Sequence, residues 1–545
     1  MKTAMKKTII IYITAMLMLL PASNSCTGSL DQYPHTSDTS KNVFSTPEGY
    51  GETLRGIYAA FIQRISSVST ESRSQNYLRV LWMFQDCSTD ALDAIWLSGE
   101  SLTDVNGLSW TAGDGWVSGM YYHIYNIVAM CNDLIKNASD KELLSKFTDS
   151  EREVIELYKN EARFLRAYAY SHAIDFYYKM PFVTEADGIG SYIPVTYDRK
   201  QMFGFLSGEL EDIAPKLKDK SYGHANSYAA YALLARLYLN AEVYTGEKHY
   251  TECITACKEV LKGGYSLEPD YSRLFNGDNH LRTNEIILAF ACDGANTTTW
   301  DATTFITCGS VLSGFDDYEL VYGTQDSGAW NNLRARPELV NKFSAEDKRA
   351  LVIGYDRTAE KDSEGNTTGY TQTPRSKDIT LHDDASTGYR LNKWTNLTDE
   401  GKPASICSDG GGANTDFPVF RLADIYLMLA ESVVRGGEGS SRSEALSLVN
   451  EVRSRAFGSD SGNIGDGDLT LDFLCDERLR ELYMECIRRT DLIRFGKYTS
   501  GYNWQWKGNI LEGTDVDPKY RFLPAPEAEY SANPEMKAAN AELGY

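Results

Sequence analysis

Apolar residues recur every three to four positions over eight long stretches: 117–136, 151–178, 201–217, 227–245, 250–263, 421–435, 442–455 and 471–495. That spacing lines them up on one face of an α-helix, so each stretch is predicted helical. In 229–239 the residues are small or apolar on nearly every face. Such a helix must be covered on several sides, and its alanines let neighbouring helices approach closely. Between 265 and 417 the pattern dissolves into Gly, Thr, Asn, Asp and aromatic residues. A short apolar piece, 285–290, reads as a strand, and most of the rest reads as ordered loop.

Two helical stretches share a local pattern. Glu161-Ala162-Arg163-Phe164-Leu165-Arg166-Ala167-Tyr168 parallels Leu234-Ala235-Arg236-Leu237-Tyr238-Leu239-Asn240-Ala241. In each, small Ala alternates with large Tyr, Phe or Leu, and a turn and a second helix follow. This predicts stacked helical hairpins of the tetratricopeptide kind. The expected fold is mostly α: a helical scaffold over roughly 50–265 and 419–500. It carries a large loop-rich region over 265–418 with a few short strands. Long loops on a rigid scaffold are where binding usually resides.

The first residues bear on compartment. Lys2, Lys6 and Lys7 precede an uncharged, mainly apolar run over 8–20, then small residues and Cys26. A basic head, a short apolar core and small residues before a break read as a secretory signal over 1–25. The run is too short for a spanning helix, which needs about 20 apolar residues. Cys26 stands where a bacterial lipoprotein signal places its acylated cysteine, so the expected mature chain is one domain over 26–545, tethered to a membrane by lipid. The competing reading is an ordinary cleaved signal followed by a chance cysteine.

Net charge is −22. That disfavours nucleic acid, whose phosphates want a basic face. The other nine of the ten cysteines are scattered, and a chain this long needs no staples. Cys253 and Cys257, four apart on a predicted helix, lack a His or second Cys pair at zinc spacing and read as small buried apolar residues. No nucleophile elbow, H-E-x-x-H or phosphate loop occurs, and the seven histidines are isolated from one another. No pair of carboxylates stands out for glycosidase chemistry. The chain reads as a binder and not an enzyme.

Several segments together resemble the SusD/RagB family. They are Phe420-Arg421-Leu422-Ala423-Asp424-Ile425-Tyr426-Leu427-Met428-Leu429-Ala430-Glu431, Glu477-Arg478-Leu479-Arg480-Glu481-Leu482-Tyr483, and Arg488-Arg489-Thr490-Asp491-Leu492-Ile493-Arg494-Phe495-Gly496. Pro524-Ala525-Pro526-Glu527 with Asn533-Pro534 closes the set, and Cys26 with Leu30-Asp31 and Pro34 opens it. The resemblance implies a surface-facing outer-membrane lipoprotein that captures glycan. It also implies a TonB-dependent outer-membrane transporter of the SusC type as partner. Starch-like alpha-glucan or maltooligosaccharide is the favoured ligand, since 235–246 and 491–508 are similar to starch-binding members.

A sugar ring offers an apolar C–H face to an aromatic ring, and its hydroxyls need polar partners at the edge. Trp300 and Trp330 lie in polar, Gly- and Asn-containing surroundings, where a large ring is either a core anchor or a ligand platform. The family resemblance assigns them to glycan contact. It assigns Arg79 likewise, and places a third ring at Ala94, with Trp96 two residues on as the candidate substitute. The polar positions that follow are Ser98 and Gly99. Trp82, Trp110, Trp116, Trp394, Trp504 and Trp506 sit in or beside apolar segments and are expected to be structural. Asn276, Asp278, Asn414 and Asp416 supply oxygens of the type Ca²⁺ takes. Asp and Asn in loops more often cap turns, and the resemblance implies calcium held at similar positions, with Asp278 and Asp416 as its ligands. The alternatives left open are another glycan, a peptide nutrient, or a protein-interaction scaffold without a small ligand.

Overall fold

A computed structural model of the chain describes residues 43–64, 75–97, 99–187, 193–218, 220–297, 300–312, 314–408 and 410–545. The signal sequence expected over 1–25 and Cys26 lie outside the described residues.

The principal helices are α1 (Pro47–Ile62), α2 (Tyr77–Trp82), α3 (Gly115–Asn137), α4 (Asp149–Phe176), α5 (Arg199–Ile213), α6 (Ser227–Leu239) and α7 (Tyr250–Leu261). They continue with α8 (Ala302–Gly309), α9 (Leu422–Val434), α10 (Arg442–Phe457), α11 (Leu471–Leu482) and α12 (Arg488–Arg494). From α3 to α7 each helix packs on the next, then α7 packs on α9 and α9 on α10. This succession is what stacked helical hairpins produce. Local chemistry starts the helices. Thr148 and Glu151 form a reciprocal cap on α4, Asp198 and Gln201 do so on α5, and Asn226 caps α6. In α6 Ala229, Ala230, Ala232 and Ala235 are all buried, as a helix covered on several sides requires.

The arginines of the repeated pattern join successive layers. Arg163 and Arg166 of α4 both hold Glu209 of α5, at 2.8 and 2.9 Å. Arg236 of α6 reaches Asp424 of α9 at 2.9 Å.

Short strands are β1 (Leu92–Ala94), which precedes the loop-rich region, then β2 (Ile286–Phe290), β3 (Leu333–Ala335), β4 (Tyr355–Lys361), β5 (Thr367–Pro374) and, at its end, β6 (Phe417–Arg421). The strand expected at 285–290 is β2, paired antiparallel with β6. β1 pairs antiparallel with β3, with Ala94 opposite Leu333. The β4–β5 hairpin and α8 were not read from the pattern.

The single helix expected over 471–495 is instead α11 and α12 with a break over 483–487. Met484 and Cys486 there have φ of +63° and +59°, the left-handed region. Their amides donate to the fully buried Asp86 carboxylate at 3.1 and 3.0 Å. A partner some four hundred residues away in sequence breaks the helix, so the 3.6-residue period gives no warning of it. The stretch expected over 227–245 also divides, at Asn240.

The C-terminal segments quoted above converge on a buried ion network. Glu481 receives Arg349 at 3.0 Å, Arg421 at 2.5 Å and Arg455 at 2.5 Å, and all four side chains are nearly inaccessible to water. Arg478 links Asp424 to Asp491, and Arg494 links Asp491 to Glu431. Burial pushes the Glu477 and Glu431 carboxyls toward the neutral form, yet the guanidiniums outweigh it. Arg349, Arg480 and Arg453 hold Glu477 at about 2, and Arg494, Arg435 and Arg478 hold Glu431 at about 2.

Removing one member of a buried network strands the others. Glu481→Ala is expected to cost about 3–5 kcal/mol of stability, read as a lower urea midpoint. The network also sets an acid limit. Carboxyls depressed in the folded state contribute fully above their ordinary value and lose that contribution as pH falls through the folded one. The urea midpoint should therefore fall as pH drops from 4.5 toward about 2. A midpoint constant across that window would show that the network adds nothing.

Candidate functional site

The four glycan-contact candidates are distant in sequence, and the fold gathers them. Arg79, Trp96, Trp300 and Trp330 line one open cleft of about 470 Å³, together with Arg64 and Glu100.

Helix α8 spaces two of the rings. Trp300 stands just before it and is 53% exposed, while the adjacent Asp301 is fully buried. Asp301 accepts from Arg64 Nε at 2.6 Å, Arg79 Nη1 at 3.1 Å and the Asn76 amide at 3.2 Å. That anchor fixes the start of α8 and leaves the indole outside, with Arg64 5.4 Å from its centroid. At the other end, the amides of Trp330, Asn331 and Asn332 donate to the carbonyls of Cys308, Val311 and Gly309. These bonds seat the Trp330 loop on the end of the helix. Trp330 is half-buried, backed by Phe305, Cys308, Cys407 and Ala413, and its indole N–H donates to the Ser327 carbonyl at 2.8 Å. Eight helical residues at 1.5 Å each separate the two attachment points by roughly 12 Å.

The β1–β3 pair brings in the third ring. Ala94 is buried within that ladder, so no ring at position 94 reaches the cleft. One residue beyond β1, the Ile95 amide donates to the Asn332 carbonyl at 2.7 Å. Trp96 therefore emerges beside the Trp330 loop and lines the cleft. Ser98 lies outside the described residues.

Arg79 forms the back wall. Its Nη1 donates to Gln75 Oε1 at 2.6 Å and to Asp301, and its Nη2 to Glu100 Oε2 at 2.6 Å. Its guanidinium lies 3.8 Å from the Phe305 ring centroid, and only 4% of the residue is exposed. Glu100 is fixed in turn, since its carbonyl accepts the Trp116 indole N–H at 2.7 Å. Two guanidiniums are thus paired with two carboxylates at the cleft, Arg64 and Arg79 with Asp301 and Arg79 also with Glu100. Sequence reasoning missed Arg64, Gln75, Glu100, Asp301 and Phe305 as parts of the site. The adjacency of Asp301 to Trp300 was the one local signal.

Of the tryptophans expected to be structural, Trp82, Trp110, Trp116, Trp394 and Trp504 are buried. Trp506 is half-buried, stacked on His382 at 4.3 Å.

The four residues considered for calcium do not fit that ion. Asp278 Oδ2 accepts the Asp399 amide at 2.8 Å, and Asn276 Oδ1 accepts the Asp278 amide at 3.2 Å. Asp416 accepts the Cys292 amide at 2.7 Å and the Tyr222 hydroxyl, and burial raises its carboxyl above the ordinary range despite these donors. With their oxygens already turned to separate partners, these side chains do not make a hard-cation cage. Among the described residues no three His, Cys, Asp or Glu side chains converge as metal ligands.

Residues 284–545 match the model of the SusD family. The starch-binding protein SusD of Bacteroides thetaiotaomicron is 27% identical over 499 residues, covering 84% of this chain and 85% of that one. Residues 284–545 thus carry the SusD family pattern. A SusD-like protein of Formosa agariphila is a second relative, 26% identical over 81% of each chain. The fold agrees. A SusD superfamily protein from Parabacteroides distasonis superposes with a TM-score of 0.67 at 18% identity, covering 91% of this chain and 98% of that one. Surface glycan-binding protein A from Bacteroides thetaiotaomicron, solved with laminarihexaose, gives 0.65 at 19% identity over 89% of this chain and 98% of its own.

Asp301 is the pin of this site. Asp301→Ala would leave Arg79 buried opposite no carboxylate at that end, so a loss of about 3–5 kcal/mol is expected. Thermal melting checks it. A Tm like that of the wild type would show that Asp301 does not anchor the cleft.

Proposed function

We propose that this chain is a non-catalytic glycan-binding protein of the SusD family at the cell surface and that the cleft of Trp96, Trp300, Trp330, Arg64, Arg79 and Glu100 is its ligand face. One observation carries this reading. Three indoles and two arginines, drawn from segments up to 266 positions apart, meet at one opening. Ring faces suit the C–H faces of sugars, and the flanking N–H and carboxylate groups suit their hydroxyls. The partly compensated charge of the cleft supports a neutral ligand.

Starch-like alpha-glucan or maltooligosaccharide is the favoured ligand. The relative at 27% identity is named for starch binding, and rings set along an arc suit a curved polymer. The second reading is another glycan. It is favoured by the absence of a ring at Ala94 and by the laminarihexaose complex of a structural neighbour. The basic head, apolar run and Cys26 support export and lipid anchoring at the outer membrane. No helix among the described residues is long and apolar enough to cross a membrane. Delivery to a SusC-type TonB-dependent transporter completes the proposal.

Affinity electrophoresis in gels holding starch, laminarin or no glycan tests the ligand. Retardation in starch alone is expected. Trp300→Ala and Trp330→Ala should each lose about 0.5–1.5 kcal/mol of binding, roughly a 2- to 12-fold drop in affinity, with melting unchanged for the exposed Trp300. Retardation in laminarin alone would move the assignment to the second reading. Full retardation of the double variant would remove the cleft as the site.

A further inference from the structure

The back of the Trp330 platform is built from two thiols. Cys308 is the penultimate residue of α8, and Cys407 lies in the segment that returns 99 positions later. Their Sγ atoms are 3.5 Å apart, both residues are fully buried, and with Ala413 they form a small cluster on which the Trp330 indole packs. The surrounding backbone converges on the same point. The Cys308 carbonyl accepts the Trp330 amide at 3.1 Å, and the Cys407 carbonyl accepts the Gln325 amide at 3.1 Å. The Ala413 amide donates to Thr304 Oγ1 of α8 at 2.9 Å. Helix α8, the loop carrying Trp330 and the returning segment are therefore already in register around the two sulfurs.

We propose that Cys308 and Cys407 form a disulfide that staples the Trp330 wall of the cleft. A disulfide sets its sulfurs about 2.05 Å apart, so they must approach by about 1.5 Å, a distance within reach of side-chain rotation. The step balances without a metal. Each thiol loses a proton, the pair loses two electrons as the Sγ–Sγ bond forms, and an external disulfide takes up both through exchange and leaves as two thiols. Burial protects the bond once formed, so exchange occurs while the loops are still open during folding. The physiological setting rests on the export reading above, because secreted chains meet disulfide-forming conditions and cytosolic ones do not. The cross-link also closes a long loop, which restricts the unfolded chain.

The test uses the full chain with a defined oxidant, so it does not depend on where the protein resides. The reduced protein is unfolded in urea, refolded with oxidised glutathione, alkylated in denaturant and digested. A peptide joining Cys308 to Cys407 is expected, with the loss of two alkylatable thiols. The urea midpoint should rise relative to the reduced protein and fall back on reduction. C308A and C407A should each abolish the linked peptide and the midpoint shift. Recovery of both cysteines as alkylated or glutathionylated side chains, or a bridge from either to another cysteine, would overturn the proposal. Failure of export would show separately, as an uncleaved N-terminus in fractionated cells.

Discussion

Glu481 ties the two halves of this chain together. Its carboxylate meets Arg349 from the loop-rich region, Arg421 at the end of β6 and Arg455 of α10, while its own helix α11 sits in the C-terminal block. Burying four such charges is costly, and their mutual attraction repays it only when every partner is in place. The network is therefore weak evidence for stability and stronger evidence for a single arrangement. A shift of β6 against α11 leaves a guanidinium or a carboxylate stranded out of water. The same strand β6 pairs with β2, and β2 leads into the loop that ends at Trp300 and α8. The position of the cleft is thus referred to the helical block through charges that tolerate little displacement.

The helical block was largely legible because its signal is local. Apolar stripes mark α3, α4, α5, α7, α9 and α10 to within a few residues and the starts of α6 and α11, and the caps at Thr148, Asp198 and Asn226 are short-range chemistry. The misread helix over 471–495 has a long-range cause. The break between α11 and α12 is held by Asp86, and nothing near Met484 or Cys486 announces the left-handed backbone that Asp86 stabilises. The quoted family segments were visible as strings of Arg, Glu and Asp. Their common purpose, a buried ion network, appears only when α9, α11 and α12 are brought together. On a helical wheel a charged residue at a core position reads as a polar face, which is why periodicity alone cannot distinguish Arg478 from a solvated arginine.

The cleft was legible ring by ring and illegible as a structure. Trp300 and Trp330 stood out because large indoles in polar surroundings lack apolar neighbours in sequence, and Trp96 only because it follows the position where the family resemblance expects a ring. What holds them is long-range: Asp301 with Arg79 across 222 positions, and Ile95 with Asn332 across the β1–β3 pair. The proposed calcium residues failed for the converse reason. Asn and Asp in loops look like ligands in any sequence, and here each closes a different turn or contact.

Helix α8 gives the cleft its physical logic. A helix is stiff along its axis, with a fixed rise per residue. Placing one indole before its first turn and another on its terminal carbonyls sets their spacing independently of loop motion. Arg79 reinforces this from the side, its guanidinium stacked on Phe305 of the same helix and bonded to Asp301 at the start. Rings held this way lose little further freedom when a ligand arrives, and that is where a shallow, open site gains affinity. Because Arg64 and Arg79 already face Asp301 and Glu100, a charged ligand would have to break ion pairs to enter. A neutral chain of sugars has only to lie on the rings and exchange water for the remaining N–H and carboxylate oxygens at the rim.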